Sequence, residues 1–344
     1  MGSEKTIKCV IWDLDNTIWD GTLVEDREVT LKEGIVDVIK GLDNRGILQS
    51  IASRNNHEDA MKMLEKFQLN EYFIYPQINW GNKSESVQTI IKSINIGSNT
   101  VAFVDDQPFE LDEVKSVVED VMCINASEYK EILDMPRMIP KHLTDDTRRR
   151  REMYMADIVR NKIEEKFDGP QEDFLRSLNM KLTISYIQDG DLARVIELTE
   201  RTSQLNTTGY TYTYDELNEL RNDENHDILI IGLDDKYGTY GKIGIVLIDK
   251  QEKVWVLDLF IMSCRVISRG VGTIVMNHIM QKAKDAGVVL QARFIPTDRN
   301  KMMLFSYHLA GFRLKEQREE YQLLENELKV IQPKPDYVEL HTEF

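Results

Sequence analysis

Two aspartates near the start of the chain have the spacing needed to act together on one ligand. Asp13 and Asp15 follow the apolar run 7–12 and are separated by a single leucine. In an extended strand, side chains two residues apart point to the same side, so both carboxylates would face the same ligand. Two like charges that close repel each other unless a cation or a shared proton neutralises them. The pair therefore predicts a site that contains one of these.

Two further polar residues follow apolar runs, each close to the start of a predicted helix. Ser53 offers a hydroxyl beside free backbone N–H groups, which suits a phosphate, although an ordinary helix cap has the same pattern. Lys83 also lies at a helix start, where a cation is unfavourable beside the positive end of the helix dipole. A bound phosphate would remove that conflict, whereas a solvated lysine is the simpler interpretation.

Asp105 and Asp106 end another apolar run, 100–105. Adjacent acids at the end of a strand are often part of a turn. Opposite Asp13 and Asp15, they would instead complete a site for a hard cation such as Mg²⁺.

These four motifs, in this order at successive strand ends, resemble the four motifs of the haloacid-dehalogenase (HAD) phosphotransferases. The resemblance implies that Asp13 is the nucleophile that becomes an aspartyl-phosphate, and that Asp15 is the general acid and base. It implies that Ser53 and Lys83 hold the phosphoryl group. The Mg²⁺ ligands that it implies are Asp13, Asp15, Asp105 and Asp106. The short interval between Asp13 and Ser53 leaves no room for a large cap domain, which predicts a site open to a large or protein-borne substrate.

Cys264 is the residue of the second half whose sequence surroundings most clearly predict a reactive side chain. Arg265, Arg269 and the helix start that follows would lower the pKa of its thiol, and a thiolate is the reactive form. Cys9 and Cys123 lie inside predicted strands and fit small buried hydrophobic side chains.

The segment 268–273, Ser-Arg-Gly-Val-Gly-Thr, forms a glycine-rich turn that opens a helix, as in phosphate-binding loops. It resembles the acyl-CoA loop of the GNAT acyltransferases, with Ile267 in place of the usual Gln or Arg. The spacing of Asn300, Tyr307 and the pair 311–312 resembles a second GNAT motif.

The GNAT resemblance implies that Cys264 lies where two strands splay apart to admit a pantetheine thiol. It implies that Tyr307 protonates a leaving thiolate, although a structural tyrosine is an equal alternative. The residues expected to bind the acyl or pantetheine group are Thr202, Gln204, Asn206, Arg265, Arg269, Gly270, Gly272 and Asn300.

The apolar pattern places these residues on an α/β chain. In the first half, helical patterns separate predicted strands, which indicates a mainly parallel sheet with ligands at its carboxyl edge. These strands are predicted at 6–13, 46–52, 72–78, 100–105 and 120–125. A charged helical segment and a meander of strands follow. We therefore expect a HAD-like (Rossmannoid) parallel sheet without a large cap over 1–143, a helical linker over 144–175, and a GNAT-like α+β domain over 176–344.

Composition narrows the functional classes. The chain has 344 residues, a net charge of −16 and three cysteines. The negative charge argues against nucleic acid as a partner, and no apolar run is long enough for a membrane span. Residues 1–5 lack the apolar segment of a signal peptide. Few, widely spaced cysteines fit a reducing cytoplasm.

The whole order of motifs resembles the FkbH-like glyceryl transferase/phosphatases. The resemblance implies that 1,3-bisphosphoglycerate supplies a glyceryl group, which passes through a Cys264 thioester to the phosphopantetheine thiol of an acyl carrier protein. Mg²⁺-dependent dephosphorylation at Asp13 would accompany this transfer. Two alternatives remain: a HAD phosphatase fused to a CoA-dependent N-acetyltransferase, and a non-catalytic module that docks a carrier protein beside a phosphatase.

Overall fold

Two units make up the chain. The computed structural model describes residues 5–26 and 28–344, and the units span 1–155 and 156–344. Their boundary falls inside the segment 144–175 that the sequence predicts as a helical linker. The expectation of no signal peptide rests mostly on residues 1–4, which lie outside the described residues. Within the described ranges, no helix combines the length and the apolar character needed to cross a membrane.

A five-stranded sheet forms the centre of the first unit, and each strand is parallel to its neighbours in the order β5-β4-β1-β6-β7. Helices cover both faces of such a sheet, so all four residues of β1 are buried. The elements from the start of the chain are β1 (Cys9–Trp12), β2 (Trp19–Asp20), α1 (Leu23–Asp26), β3 (Thr30–Leu31), α2 (Ile35–Asn44), β4 (Leu48–Ser53), α3 (His57–Lys66), β5 (Gln77–Ile78), α4 (Lys83–Ile94), β6 (Val101–Asp105), α5 (Pro108–Val117), β7 (Met122–Asn125), α6 (Asp145–Arg148) and α7 (Arg150–Glu165).

Turn geometry changes the bounds of several predicted elements of this unit. The helical pattern from Leu31 to Leu42 predicts a helix there, but the helix begins at Ile35, because Leu31 pairs with Trp19 in a small hairpin and Gly34 has a left-handed φ of 79°. The strand predicted over 72–78 contains only Gln77–Ile78, because Tyr75 also has a positive φ of 50° that interrupts extended backbone.

An eight-stranded mixed sheet forms the centre of the second unit, in the order β13-β14-β12-β11-β10-β9-β8-β15. Neighbouring strands are antiparallel except for the pairs β11/β12 and β8/β15. This is the α+β arrangement expected for a GNAT-like domain. Its elements are α8 (Gln171–Ser177), β8 (Met180–Tyr186), α9 (Leu192–Arg201), α10 (Tyr214–Asn222), β9 (His226–Asp235), β10 (Gly238–Lys250), β11 (Val254–Met262), α11 (Val271–Asp285), β12 (Val289–Phe294), α12 (Lys301–Leu309), β13 (Arg313–Gln317), β14 (Gln322–Asn326) and β15 (Val338–Glu343).

Candidate active site

The carboxyl ends of β1 and β6 bring three carboxylates together at one edge of the first sheet. Asp13 follows β1, Asp105 ends β6, and Asp106 comes next. These strands are parallel neighbours, so their ends meet. One carboxylate oxygen from each of the three residues lies within 4.8 Å of the others. We call these residues the carboxylate cluster.

Lys83, the first residue of α4, inserts its ammonium into the carboxylate cluster. Its Nζ lies 2.9 Å from Oδ1 of Asp13 and 2.6 Å from Oδ2 of Asp105. Burial alone would lower the pKa of Lys83, but the charges of the two aspartates overcome this effect and raise it. Burial and the Asp13 charge raise the pKa of Asp105 to about 6, against the influence of Lys83. One ammonium therefore does not offset all the negative charge.

A hard divalent cation fits the carboxylate cluster. Oδ1 of Asp106 is buried and has no hydrogen-bond partner among the described residues, and burial followed by the Asp13 charge raises the pKa of Asp106. The ligand set offers only carboxylate oxygens, which Mg²⁺ prefers. A cation there would satisfy the unpaired oxygen and reduce the repulsion between the acids.

The Asp15 carboxylate lies outside the carboxylate cluster, although the sequence predicts it as a metal ligand. Its Oδ1 accepts hydrogen bonds from Nε1 of Trp19 at 2.7 Å and from the backbone N of Leu23 at 3.1 Å. Nδ2 of Asn55 donates to its Oδ2 at 3.0 Å. Burial raises the pKa of Asp15 despite these donors. The arrangement holds a separate carboxyl group close enough to Asp13 for the Asp13 charge to contribute to its raised pKa.

Sequence reasoning missed Trp19 and Asn55 as partners of Asp15. Asn55 is almost fully buried and comes two residues after Ser53, which ends β4 at the same edge of the sheet and is also buried. The position of Asn55 just beyond a strand end was the available signal. The sequence gives no comparable signal for Trp19, because no sequence motif marks a tryptophan as a hydrogen-bond donor to a nearby carboxylate.

Cys264 begins a 3₁₀ turn, two residues beyond Met262 at the end of β11. Its Sγ contacts Oε1 of Gln204 at 3.7 Å. The structure thus brings together two residues that the sequence assigns to acyl transfer.

The two arginines expected to lower the pKa of the Cys264 thiol both have carboxylate partners. Arg265 lies 3.6 Å from Asp157 and donates to the backbone O of Tyr240 at 2.7 Å. Arg269 is buried, and its NH1 lies 2.6 Å from Oε2 of Glu164. Their positive charges are therefore partly offset, and both guanidinium groups tie the turn to α7.

The chain's own backbone occupies the gap between β11 and β12. The two strands pair only as far as Leu257 with Ala292. Beyond that point the backbone N of Thr207 donates to O of Phe260 at 3.2 Å, and the backbone N of Ile295 donates to O of Thr207 at 2.9 Å. The expectation that a pantetheine thiol enters between these strands is therefore corrected, because a short extended segment at 205–207 already makes the hydrogen bonds there.

Asn206 and Asn300 hold this segment in place rather than facing a cavity. Nδ2 of Asn300 donates to the backbone O of Asn206 at 3.0 Å and to that of Ile295 at 2.9 Å. Nδ2 of Asn206 donates to O of Thr202 at 3.2 Å. Both asparagines are almost fully buried, so their amides serve the fold of the loop.

A groove of about 420 Å³ lies beside the start of α11, with Gly270 and Gly272 among its lining residues. Gly270 has a φ of 70° and precedes a helix without a side-chain cap, so the first N–H groups are open to an anion. Tyr307 is fully buried against Phe312, and its hydroxyl has no hydrogen-bond partner in the described parts of the chain. Burial raises the pKa of Tyr307 strongly. These features favour the structural interpretation of this tyrosine.

Parts of this chain are similar to known proteins. A family model described as haloacid dehalogenase-like hydrolase matches residues 21–117. The match lies within the first unit, whose parallel α/β sheet is HAD-like. Asp13 and Asp15 precede the matched range, so their assignment rests on the motif and on the geometry described above. Human magnesium-dependent phosphatase 1 is 28% identical over 137 residues, which cover 34% of this chain and 77% of that protein.

Two solved structures are also similar. The phosphatase-containing N-terminal part of a Bacteroides fragilis protein, complexed with Mg, is 31% identical with a TM-score of 0.33, and covers 40% of this chain and 41% of that one. The ribosomal-protein-S18-alanine N-acetyltransferase of Escherichia coli is 12% identical with a TM-score of 0.32, and covers 42% of this chain and 90% of that one.

Proposed function

We propose that the first unit is a Mg²⁺-dependent phosphomonoesterase that works through an aspartyl-phosphate on Asp13. The observation that carries the proposal is the buried carboxylate cluster with Lys83 inserted between Asp13 and Asp105. The similarity to a magnesium-dependent human phosphatase supports the choice of metal. Bound Mg²⁺ would be held by the carboxylate cluster and would offset the negative charge of the phosphoryl group.

The reaction needs one nucleophile and one proton carrier. A carboxylate oxygen of Asp13 forms a bond to phosphorus while the bond from phosphorus to the leaving oxygen breaks, and Asp15 gives that oxygen a proton. Water then attacks the phosphorus of the aspartyl-phosphate while Asp15 takes a proton from it; the bond from phosphorus to the Asp13 oxygen breaks, which restores the Asp13 carboxylate and releases inorganic phosphate. Lys83 stabilises the anionic oxygens of the phosphoryl group.

For the whole chain we propose glyceryl transfer from 1,3-bisphosphoglycerate to an acyl carrier protein. The Cys264 thiolate attacks the carbonyl carbon of the acyl phosphate, and inorganic phosphate leaves with the electron pair of the broken bond. The pantetheine thiol of the carrier protein then loses its proton to water and attacks the carbonyl carbon of this thioester, and the bond to sulfur breaks to release the Cys264 thiolate. The order of sequence motifs and the contact between Cys264 and Gln204 support this assignment.

A second candidate is a CoA-dependent acyltransferase in the second unit. The groove beside α11 favours it, because an apolar groove next to open helix N–H groups suits CoA as well as a carrier-bound pantetheine. Acetyl-CoA turnover that survives Cys264→Ala would select this candidate over glyceryl transfer.

Intact-protein mass after mixing with 1,3-bisphosphoglycerate tests the proposal. With carrier protein present, wild type should produce the glyceryl thioester of the carrier protein, and Asp13→Asn protein should produce its phosphoglyceryl thioester. The exposed acid Asp20 provides a matched control, and Asp20→Asn should behave as wild type. Release of the second phosphate, the phosphomonoester, by Asp13→Asn at the wild-type rate would contradict the role of Asp13, and a carrier protein that wild type leaves unmodified would contradict glyceryl transfer.

A further inference from the structure

Two exposed aromatic side chains lie at the edge of the first sheet that bears the carboxylate cluster. Trp80 is 67% exposed and Phe109 is 71% exposed. Among the described residues of the first unit, no other aromatic side chain is more than half exposed. Large aromatic rings normally supply much of the buried area of a core. Trp80 and Phe109 contribute little to the core of the first unit.

Arg54 ties the segments of both rings together. Its Nε donates to the backbone O of Gly81 at 3.1 Å, and its NH1 lies 2.9 Å from Oε1 of Glu110. Trp80 immediately precedes Gly81, and Phe109 immediately precedes Glu110, which is itself buried. One guanidinium group therefore connects the turn that bears the indole to the helix that bears the phenyl ring.

Both segments also contribute directly to the phosphoryl site. Lys83 comes three residues after Trp80 and contacts Asp13, while Phe109 lies in the first turn of α5, just after Asp105. Oδ1 of Asn79 accepts a hydrogen bond from the backbone N of Gly81 at 2.8 Å, which fixes the turn around Trp80. Both segments are therefore held at the edge of the sheet that bears the carboxylate cluster, and we call the side chains of Trp80 and Phe109 the aromatic rim.

We propose that the aromatic rim binds the part of the substrate beyond the phosphate, and that this part is an extended chain with apolar surface. The inference rests on the phosphomonoesterase activity proposed above. Free 3-phosphoglycerate presents only hydroxyl, carboxylate and phosphate groups, which give two aromatic faces nothing apolar to cover. In a thioester with pantetheine, the same phosphoglyceryl group is followed by sulfur, methylene and amide groups that suit both rings.

The substrate of the first unit then belongs to the class of phosphoglyceryl thioesters. A reaction that forms this thioester must precede the removal of its phosphate. Phosphate removal follows acyl transfer in this order. The expected consequence is selectivity: phosphate should be released faster from the pantetheine thioester of 3-phosphoglycerate than from 3-phosphoglycerate itself.

The test compares kcat/KM for these two substrates and for 2-naphthyl phosphate in the full chain with Mg²⁺. In Trp80→Ala and in Phe109→Ala, the ratio of kcat/KM for the thioester to that for 3-phosphoglycerate should fall about tenfold, because covering one ring is worth on the order of a factor of ten. Val117 is a matched control, since it is 49% exposed at the far end of α5. Val117→Ala should leave the ratio unchanged.

A binding measurement provides a readout besides activity. Trp12 and Trp19 are fully buried and Trp255 is half-buried, so acrylamide should quench the fluorescence of Trp80 most strongly. In Asp13→Asn protein, the pantetheine thioester should protect the fluorescence from quenching, and 3-phosphoglycerate should not.

The outcomes separate this inference from the activity on which it rests. In one outcome, wild type releases phosphate while both aromatic variants keep the wild-type ratio of kcat/KM for the thioester to that for 3-phosphoglycerate. That result would overturn substrate binding by the aromatic rim but not the phosphomonoesterase activity. A ratio that falls for 2-naphthyl phosphate but not for the thioester would overturn the thioester as the occupant. No phosphate release from any of the three substrates by wild type would overturn the phosphomonoesterase itself.

Discussion

The ammonium of Lys83 lies 2.9 Å from the carboxylate of Asp13, and both side chains are about 95% buried. A cation at the first position of a helix opposes the helix dipole. Its burial therefore depends on the negative charges that it meets, and these include Asp105 as well as Asp13. Lys83, which we propose as a phosphoryl-binding group, is thus also the main charge partner of the carboxylate cluster among the described residues.

Replacing Lys83 should make the stability of the first unit depend on Mg²⁺. Lys83→Met leaves buried carboxylates facing one another without a cation, and breaking such a buried ion pair costs about 3 kcal/mol or more. We expect a lower Tm for this variant in EDTA and a partial recovery when Mg²⁺ is added, by more than in wild type. Lys92 is exposed on the same helix, and Lys92→Met should change neither the Tm in EDTA nor the rise in Tm when Mg²⁺ is added. An equal Tm deficit with and without Mg²⁺ would contradict this account of Lys83.

Replacing either of two neighbouring asparagines by alanine should affect a different property of the protein. Asn55 donates to the Asp15 carboxylate, so Asn55→Ala should lower kcat for phosphate release by about tenfold or more. Asn56 caps α3 by accepting from the backbone N of Asp59, so Asn56→Ala should cost about 1 kcal/mol of unfolding free energy and leave kcat unchanged. Steady-state kinetics and urea denaturation of both variants check the pair. Equal kcat values would remove Asn55 from the positioning of Asp15.

The acids of the carboxylate cluster were predictable because their signals are local. Each follows a short apolar run, and the ends of neighbouring parallel strands must meet at one edge of the sheet. Asp15 was harder to place, because the spacing of two residues gives the direction of a side chain in a strand but not its direction after the strand has ended. β1 ends at Trp12, and the left-handed φ of 53° at Asn16 shows how soon the extended backbone is lost.

In the second unit, contacts between residues far apart in the sequence were not predictable from local sequence patterns. Asn206 bridges to Ile261 and fills the gap between β11 and β12, but no periodicity or composition marks a pairing between segments that far apart. The same holds for Arg269, whose charge is evident from the sequence while its partner Glu164 is not. The residue types of a loop can be predicted from sequence, whereas the strand gap that the loop occupies is set by tertiary packing.

Asn300 should be a stability determinant of the second unit. Its Nδ2 donates to the backbone oxygens of Asn206 and Ile295, so Asn300→Ala leaves two buried carbonyl groups without this donor. Each unsatisfied group costs about 1 to 3 kcal/mol, and we expect a loss of about 2 kcal/mol or more in urea unfolding. Asn222 is exposed near the end of α10, and Asn222→Ala should cost less than about 0.5 kcal/mol. A similar small loss in both variants would mean that the segment at 205–207 does not depend on Asn300.

Cys264 is expected to carry the glyceryl group as a thioester. Cys264→Ser keeps the shape of the side chain but supplies a hydroxyl that is far too basic to ionise, so it should abolish loading of the carrier protein or trap a stable ester. Cys9 is the rival thiol because it lies on the strand that leads to Asp13. It is fully buried, however, and burial raises the pKa of its thiol strongly. Cys9→Ala should therefore lose some stability at most.

Peptide mapping of protein that has been mixed with 1,3-bisphosphoglycerate and quenched in acid, where thioesters persist, locates the adduct. Gln204 gives a further variant, because its Oε1 contacts Sγ of Cys264. Gln204→Ala should slow formation of the adduct without moving it to another peptide. An adduct on the peptide that contains Cys9, or normal loading of carrier protein by Cys264→Ser, would remove Cys264 from the reaction. Direct attack of the pantetheine thiol on the acyl phosphate would then be the better mechanism, because it needs no cysteine of the protein.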